Sequence, residues 1–154
     1  MTVIVDIPTA IAQIVTHCTA AGAALSVPIT DIARADPLPS GRCGRVWWGG
    51  EIAPPGMPGN RVLNGELVGH IVNITFFWPV ADQGTTVTAS RDSEVEALAK
   101  DIRTRLQGDS QLGDTVYDLD VNYAVTQFAL YAGTVFRTLE IDVHLSYDEY
   151  PRNP

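Results

Sequence analysis

The sequence predicts an α+β domain: an antiparallel sheet of about four to five strands with two helices packed on one face. Two segments place apolar residues at helical spacing, while the long C-terminal segment alternates apolar and polar residues. The predicted order is helix, strand, long loop, strand, helix, hairpin, which is typical of the α+β class. A chain of 154 residues fits a single domain spanning residues 1–154.

The first predicted helix covers Ile7 to Ala21. Its apolar residues recur at helical spacing, and Asp6 precedes them as the predicted N-cap. Gly22 follows as the predicted C-terminal cap. After this helix we expect a strand over about Ala24 to Ala33, which Pro28 restricts to a sheet edge or a bulge.

The second predicted helix is marked by one apolar stripe at i, i+3, i+4, i+7 and i+11, formed by Val95, Leu98, Ala99, Ile102 and Leu106. Ser93 and Glu96 match a capping box and predict where the helix begins. Charged pairs four residues apart support the exposed side: Glu96–Lys100 and Asp101–Arg105. Gly108 is predicted to end the helix, and 81–90 before it is predicted as a loop or ragged edge.

A strong strand is predicted from Leu67 to Trp78. Residues of one parity are apolar (Val68, Val72, Ile74, Phe76 and Trp78). His70 is polar but shares this parity, so we interpret it as a buried, hydrogen-bonded histidine. Pro79 is predicted to end the strand.

The last third predicts a long hairpin with arms Thr115–Leu130 and Thr134–Tyr147 around the turn 131–133. In the second arm one parity is apolar: Val135, Leu139, Ile141, Val143, Leu145 and Tyr147. The other parity is polar: Glu140, Asp142, His144, Ser146 and Asp148. This alternation predicts an antiparallel strand with one face in the core.

Composition and charge exclude several function classes. The net charge of −8 argues against a dedicated nucleic-acid binder but allows a protein that lets DNA pass. No apolar run reaches the ~18–20 residues that span a bilayer, so no membrane partner is expected. The start MTVIVDIPTAIAQIV lacks a basic region and is interpreted as a mature N-terminus in a cytoplasm. Cys18 is predicted to be buried, whereas Cys43 could be exposed.

Motifs for catalysis are missing from the sequence. It contains no HExxH, GxSxG or GxxxxGK[ST] pattern, so no catalytic, cofactor-binding or metal-ligating residue is assigned and we expect a protein that is not an enzyme. One alternative is a metal-dependent hydrolase built on Asp118, Asp120, Asp142 and His144. A solvated strand face gives the same pattern and is the favoured interpretation.

A Gly/Pro-rich tract from 35 to 65 holds five prolines and seven glycines and predicts an extended loop or arm, interrupted by a short strand from Arg45 to Trp48. Residue types that favour protein interfaces concentrate there: Arg42, Arg45, Trp47, Trp48, Met57 and Arg61. On an extended strand, neighbouring tryptophans point to opposite faces. One would then anchor the tract on its own domain and the other would face a partner. Alternatively, both rings pack on the sheet beneath the loop.

The C-terminal half runs as the helix SEVEALAKDIRTRLQGDSQLG and then DTVYDLDVNYAVTQFALYAGTVFRTLEIDVHLSYDEY. This layout resembles the tail terminator proteins of long-tailed (siphovirus-type) bacteriophages, and related neck and tail-completion proteins are similar. Such proteins end with a helix, a small loop and two long strands, the second closing on an aromatic residue. The N-terminal helix, the middle loop and the chain length also fit. The resemblance is one of pattern and covers most of the chain.

The resemblance implies a structural virion subunit assembled in the host cytoplasm into a ring, usually of six copies. Such a ring caps the tail tube and contacts the tube protein and the head–tail connector or stopper protein. DNA crosses its central hole without specific binding, and no cofactor is implied. An acidic lumen would repel phosphates, and the tract at 35–65 is predicted to reach a neighbouring subunit. The alternatives are a head-completion (stopper) protein and a module that binds a small ligand or peptide with its tryptophans.

Overall fold

The computed structural model describes residues 7–52, 67–80, 88–113, 115–116 and 118–148. Its elements follow the chain as α1 (Ile7–Ala23), β1 (Ile32–Arg34), β2 (Cys43–Ile52), β3 (Leu67–Pro79), α2 (Thr88–Gln107), β4 (Asp118–Tyr131) and β5 (Thr134–Asp148). The predicted α+β class is therefore confirmed. No helix in the described ranges is long and apolar enough to cross a membrane.

The described strands form one five-stranded sheet in the order β1-β2-β3-β5-β4. β1 pairs with β2 in parallel, and the other neighbours pair antiparallel. The strand β3 lies at the centre and pairs with β5 along its whole length, from Leu67 opposite Asp148 to Pro79 opposite Phe136. β4 forms the edge furthest from β1, because the hairpin places it beyond β5.

The main core lies between one face of the sheet and the two helices; we call this face the helix face. Alternate residues of β3 form the centre of this core. The fully buried residues of β3 that face the helices are Val72, Ile74, Phe76 and Trp78. The predicted stripe of α2 is confirmed, since Val95, Leu98, Ile102 and Leu106 join the same core and Ala99 packs against it. Burying such side chains contributes roughly 1.5–3 kcal/mol each.

The ion pairs predicted on α2 are confirmed, with Lys100 Nζ 2.8 Å from Glu96 Oε1 and Arg105 Nε 2.9 Å from Asp101 Oδ1. The predicted start of the helix is wrong. α2 begins at Thr88, so Ser93 lies inside the helix and cannot serve as its N-cap. Of the predicted loop 81–90, the last three residues are helical and 81–87 lie outside the described residues.

Gly22 also departs from its predicted role. α1 continues to Ala23, so Gly22 lies inside the helix, and the predicted cap Asp6 lies outside the described residues. A Cβ on Gly22 would stand 2.6 Å from Ile32 Cδ1 and 2.7 Å from the carbonyl oxygen of Ile29. The glycine is therefore needed for the close approach of the chain that follows α1. The strand predicted over Ala24 to Ala33 is reduced to the three residues of β1.

The strand predicted inside the Gly/Pro-rich tract is much longer than expected. β2 covers ten residues because β3 offers paired positions from Phe77 to Gly69, with one irregularity between Trp48 and Gly50. Residues 53–65 of the predicted loop lie outside the described residues. Cys43, which we expected could be exposed, is fully buried, as is Cys18, and both thiols are free. Burial raises the pKa of the Cys18 thiol to about 12.

The predicted hairpin is confirmed, but its turn has two residues instead of the three that were predicted (131–133). Tyr131 pairs with Thr134, and the two residues between them, Ala132 and Gly133, have φ values of 48° and 81°. Positive φ at both central residues matches the twist of a two-residue hairpin. β4 starts at Asp118 and contains a register shift between Val121 and Ala124.

The hairpin tip extends beyond the helices. Val135 was predicted in the core but is 44% exposed and does not join the main core cluster. Its neighbour Phe136 is instead buried on the opposite face of the sheet, in a small second cluster with Cys43 and Phe77. The ring of Tyr131 meets the rings of Phe77 and Phe136 edge-on.

Candidate functional site

The two adjacent tryptophans of β2 point to opposite faces of the sheet, as an extended strand requires. Trp48 lies opposite Val72 on the helix face, and Trp47 lies opposite Asn73 on the other face. Trp47 is half-buried and its Nε1 donates to Thr75 Oγ1 over 3.3 Å. Trp48 is 46% exposed. Trp48 is therefore the tryptophan of this pair that is available to another molecule.

The orientation of the Trp48 ring is fixed by His70. The indole Nε1 donates to His70 Nδ1 over 3.0 Å, and the two ring centroids lie 5.9 Å apart. His70 is only 1% exposed, so the predicted buried, hydrogen-bonded histidine is confirmed. An exposed aromatic ring that is already held in place loses little conformational entropy when it binds a partner.

Arg45 is buried, although arginine in this tract was predicted to contact a partner at the surface. Its guanidinium donates to both carboxylate oxygens of Asp31 at 3.0 Å and to Ser40 Oγ at 3.0 Å. The hydrogen bonds from Arg45 and Ser40 hold the pKa of the Asp31 carboxyl below its usual value. The hydrogen bonds that Arg45 donates to Asp31 in turn raise the pKa of Arg45. This ion pair ties the loop around Asp31 and Ser40 to β2.

Arg42 is likewise engaged within the chain. Its Nη2 donates to the carbonyl oxygen of Val27 over 2.9 Å and to Glu94 Oε1 over 2.6 Å. The same carboxylate oxygen accepts from Trp78 Nε1 at 3.2 Å. Arg42 thus links the start of β2 to α2. Of the six residues predicted for the interface, Met57 and Arg61 lie outside the described residues, and the interface role of all six stays a prediction.

The face of the sheet opposite the helices is acidic, and we call it the acidic face. Pairing places Asp118 opposite Ser146 and Asp120 opposite His144, and Glu140 and Asp142 lie on the same parity of β5. The buried side chains of both helices belong to the core on the other face. Among the described strand residues of the acidic face the one arginine is Arg45, which Asp31 neutralises.

The acidic face contains no metal site among the described residues. In this part of the chain, no three His, Cys, Asp or Glu side chains lie close enough together to hold a metal ion. His144 Nε2 instead lies 2.8 Å from the side-chain amide nitrogen of Asn122. The four residues of the hydrolase alternative do share one face of the sheet: Asp118, Asp120, Asp142 and His144. The hydrogen-bond partner of the histidine, however, is the amide of Asn122 and not one of the three carboxylates. The geometry gives no support to the metal-dependent hydrolase alternative.

A second exposed surface, which was not predicted from the sequence, lies at the hairpin. Phe128 is 64% exposed and Leu130 is 68% exposed, both on the helix face. Val125 is 52% exposed but lies opposite Glu140, on the acidic face. A signal was available, because residues 121–136 contain sixteen consecutive positions without a charged side chain. A groove of about 320 Å³ runs beside this strand, between α2 and β4. Neither Trp47 nor Trp48 lines it, so it gives no support to a pocket built on the tryptophans.

Comparison of the chain with protein-family models and with curated proteins gives no match in either case.

The Asp31–Arg45 pair predicts a pH dependence of stability. The folded pKa of Asp31 lies below its unfolded value of about 3.9, so the pair stabilises the fold above that value and loses its effect as pH falls through the folded pKa. We expect Asp31→Asn to destabilise the protein at pH 6 and to reduce the difference in unfolding free energy between pH 6 and pH 3. Urea denaturation at both pH values measures this.

Asp36→Asn is the matched control, since Asp36 is exposed in the same loop. We expect it to leave the unfolding free energy at pH 6 close to that of the wild type, because its side chain is exposed. If Asp31→Asn retains the full wild-type loss of stability between pH 6 and pH 3, the carboxylate of Asp31 does not contribute as described.

Proposed function

We propose that this chain is a ring-forming structural subunit of a bacteriophage neck, a tail terminator that caps the tail tube and joins it to the head–tail connector. DNA would pass through the centre of the ring. The observation that carries the proposal is the acidic face, which gives the subunit one wall suited to facing DNA without binding it. The C-terminal layout of one helix and a long hairpin supports the same assignment by resemblance.

The acidic face suits a channel for DNA for an electrostatic reason. Asp118, Asp120, Glu140 and Asp142 place four carboxylates on one side of the β4–β5 hairpin. Phosphates near this face are repelled, and the repulsion acts over a Debye length of about 8 Å at physiological ionic strength. DNA within a narrow hole stays inside that range, so such a wall opposes sticking while the DNA moves.

Trp48 supplies a contact for assembly. A closed ring uses heterologous contacts, in which one surface of a subunit meets a different surface of the next. Tryptophan is enriched among the residues that dominate binding energy at interfaces. Trp48 is 46% exposed and is held by His70, whereas Arg42 and Arg45 are engaged inside the chain. We therefore assign the subunit contact of the predicted tract to Trp48.

Replacement of Trp48 by alanine is expected to weaken ring assembly while the subunit stays folded. An interface hot spot contributes at least about 2 kcal/mol, so the ring should dissociate at concentrations where the wild type remains assembled. Native mass spectrometry measures the oligomer, and circular dichroism verifies the fold. Val27→Ala is the matched control, because Val27 is 56% exposed elsewhere on the surface.

Trp48→Phe separates two effects of the alanine variant. It removes the hydrogen bond to His70 but keeps an aromatic ring, so we expect assembly closer to that of the wild type. Wild-type assembly of Trp48→Ala would exclude Trp48 from the subunit contact. A wild-type protein that stays monomeric, alone and with the tail tube protein, would contradict the proposed function itself.

Charge reversal on the acidic face is expected to make the protein bind DNA. We predict that Asp118→Lys/Asp120→Lys binds a duplex oligonucleotide at about 50 mM salt and releases it at about 200 mM, since phosphate contacts depend steeply on salt. The wild type should bind at neither concentration. Fluorescence anisotropy of a labelled duplex gives the affinity.

Asp36→Lys/Glu96→Lys provides a control with the same change in net charge at two exposed positions away from this face. The control should bind DNA more weakly than the acidic-face variant. Equal binding of both variants would mean that net charge alone governs the interaction, and the acidic face would lose its assigned role.

A head-completion or stopper protein remains the alternative within the same proposal, because it also forms a ring through which DNA passes. Binding to isolated tail tubes distinguishes the two roles. A terminator should bind the end of a tube, whereas a stopper should bind the connector.

A further inference from the structure

The outer edge of β4 is an unprotected strand edge. Within the described part of the chain no strand pairs with this side of β4. Soluble proteins protect such edges with lysine, proline, bulges or short strands. β4 is 14 residues long, and after its irregularity at Val121/Ala124 it contains no charged residue and no proline. An edge of this kind is suited to pairing with another strand.

The pairing pattern of the hairpin shows which residues offer free backbone groups. In a two-residue hairpin the closing pair, here Tyr131 and Thr134, is hydrogen-bonded, and hydrogen-bonded and non-hydrogen-bonded pairs then alternate along the strands. The non-hydrogen-bonded positions therefore direct their backbone N–H and C=O groups away from β5. These positions are Ala124, Thr126, Phe128 and Leu130. Their side chains share the helix face of the sheet with Leu139 and Ile141.

The same four residues form a projection and a recess. Phe128 and Leu130 project, with 64% and 68% of their surfaces exposed. Ala124 and Thr126 line the groove of about 320 Å³ between β4 and α2, together with Val95, Ala99 and Leu139. Asp92, Glu96 and Arg137 supply its polar lining. Projection and recess thus lie next to each other on one strand.

We propose that β4 pairs antiparallel with β4 of a second copy of this chain, about a two-fold axis at Gln127. In this register Phe128 lies opposite Thr126 of the second copy, and Leu130 lies opposite Ala124 of the second copy. The free backbone groups of both strands face one another in this register. Each copy also places its projecting side chains at the mouth of the other copy's groove.

The shape of the β4 edge selects a second copy as the occupant, and the charge distribution permits this contact. A two-fold contact requires a surface that is complementary to itself, and the adjacent projection and recess meet this requirement. Each copy also carries a net charge of −8, so two copies repel each other wherever charged surfaces meet. Contact through the uncharged stretch 121–136 keeps that repulsion low.

This contact goes beyond the proposed function and does not depend on it. A two-fold pair uses the same surface on both copies, whereas ring closure uses two different surfaces, among which we placed Trp48. The experiments below therefore test the pair separately from the ring.

Gln127→Cys tests the two-fold axis directly. In the proposed register Gln127 faces its own copy as a non-hydrogen-bonded pair with Cα atoms about 4.5 Å apart, which is within the range that a disulfide bridges. The native thiols of Cys18 and Cys43 are buried. Under mild oxidation by air with a copper catalyst we expect a covalent dimer with twice the mass of 16.6 kDa, which reductant reverses.

Leu38→Cys is the control for random collision, since Leu38 is 64% exposed in a loop. It should form far less covalent dimer under the same conditions. Equal yields from the two positions, or no dimer from Gln127→Cys, would overturn the proposed pairing. Dimers from Gln127→Cys in a protein that never forms rings would leave the pairing intact and contradict the proposed function.

Phe128→Lys tests the energetic side of the contact. Sedimentation velocity is measured in the Trp48→Ala background, which is expected not to close rings. This variant should show a dimer that dissociates on dilution, and the added lysine should raise the dissociation constant of that dimer at least tenfold. Leu38→Lys introduces the same charge at a position with the same exposed fraction and should leave the constant unchanged. A Trp48→Ala variant that is monomeric at about 100 µM, or equal effects of the two lysines, would overturn the proposal and leave the β4 edge to a different partner.

Discussion

The strand β3 is the element on which the rest of the structure depends. It pairs with β2 on one side and with β5 on the other, and its alternate residues Val72, Ile74, Phe76 and Trp78 are fully buried under the helices. A slip of one residue would move all four to the opposite face. This constraint fixes the faces of the neighbouring strands, and so determines that Trp48 lies on the helix face and that the carboxylates of β5 lie on the other.

Local periodicity predicted much of this fold. The stripe of α2 and the alternation of β5 are patterns within single segments, and burial follows them from Val95 to Leu106 and from Leu139 to Leu145. The length of β2 could not be predicted in the same way. Its glycines weaken the strand pattern, and its extent is determined by the partner β3, which lies elsewhere in the sequence.

The candidate site was only partly predictable for a related reason. The opposite orientations of Trp47 and Trp48 follow from strand geometry alone, but the exposure of Trp48 depends on tertiary packing over the helix face, which the local sequence does not specify. Arg45 has a residue type favoured at interfaces, yet Asp31 and Ser40 lie close enough in space to bind its guanidinium. Exposed Phe128 and Leu130 were missed, because alternation predicts a face and not how far a hairpin extends beyond the core.

Four of the five exposed large hydrophobic side chains on the described strands lie on the face opposite the strand carboxylates, which suits an assembling subunit. Four carboxylates lie on the acidic face, whereas exposed Trp48, Phe128 and Leu130 lie on the helix face, near the two edges of the sheet. We infer that the first surface keeps DNA away and that the second holds other protein chains. Negative-stain electron microscopy of the purified wild-type protein tests this account most directly. We expect uniform rings with a central hole wide enough for duplex DNA; a field of single small particles, unchanged when tail tubes are added, would contradict it.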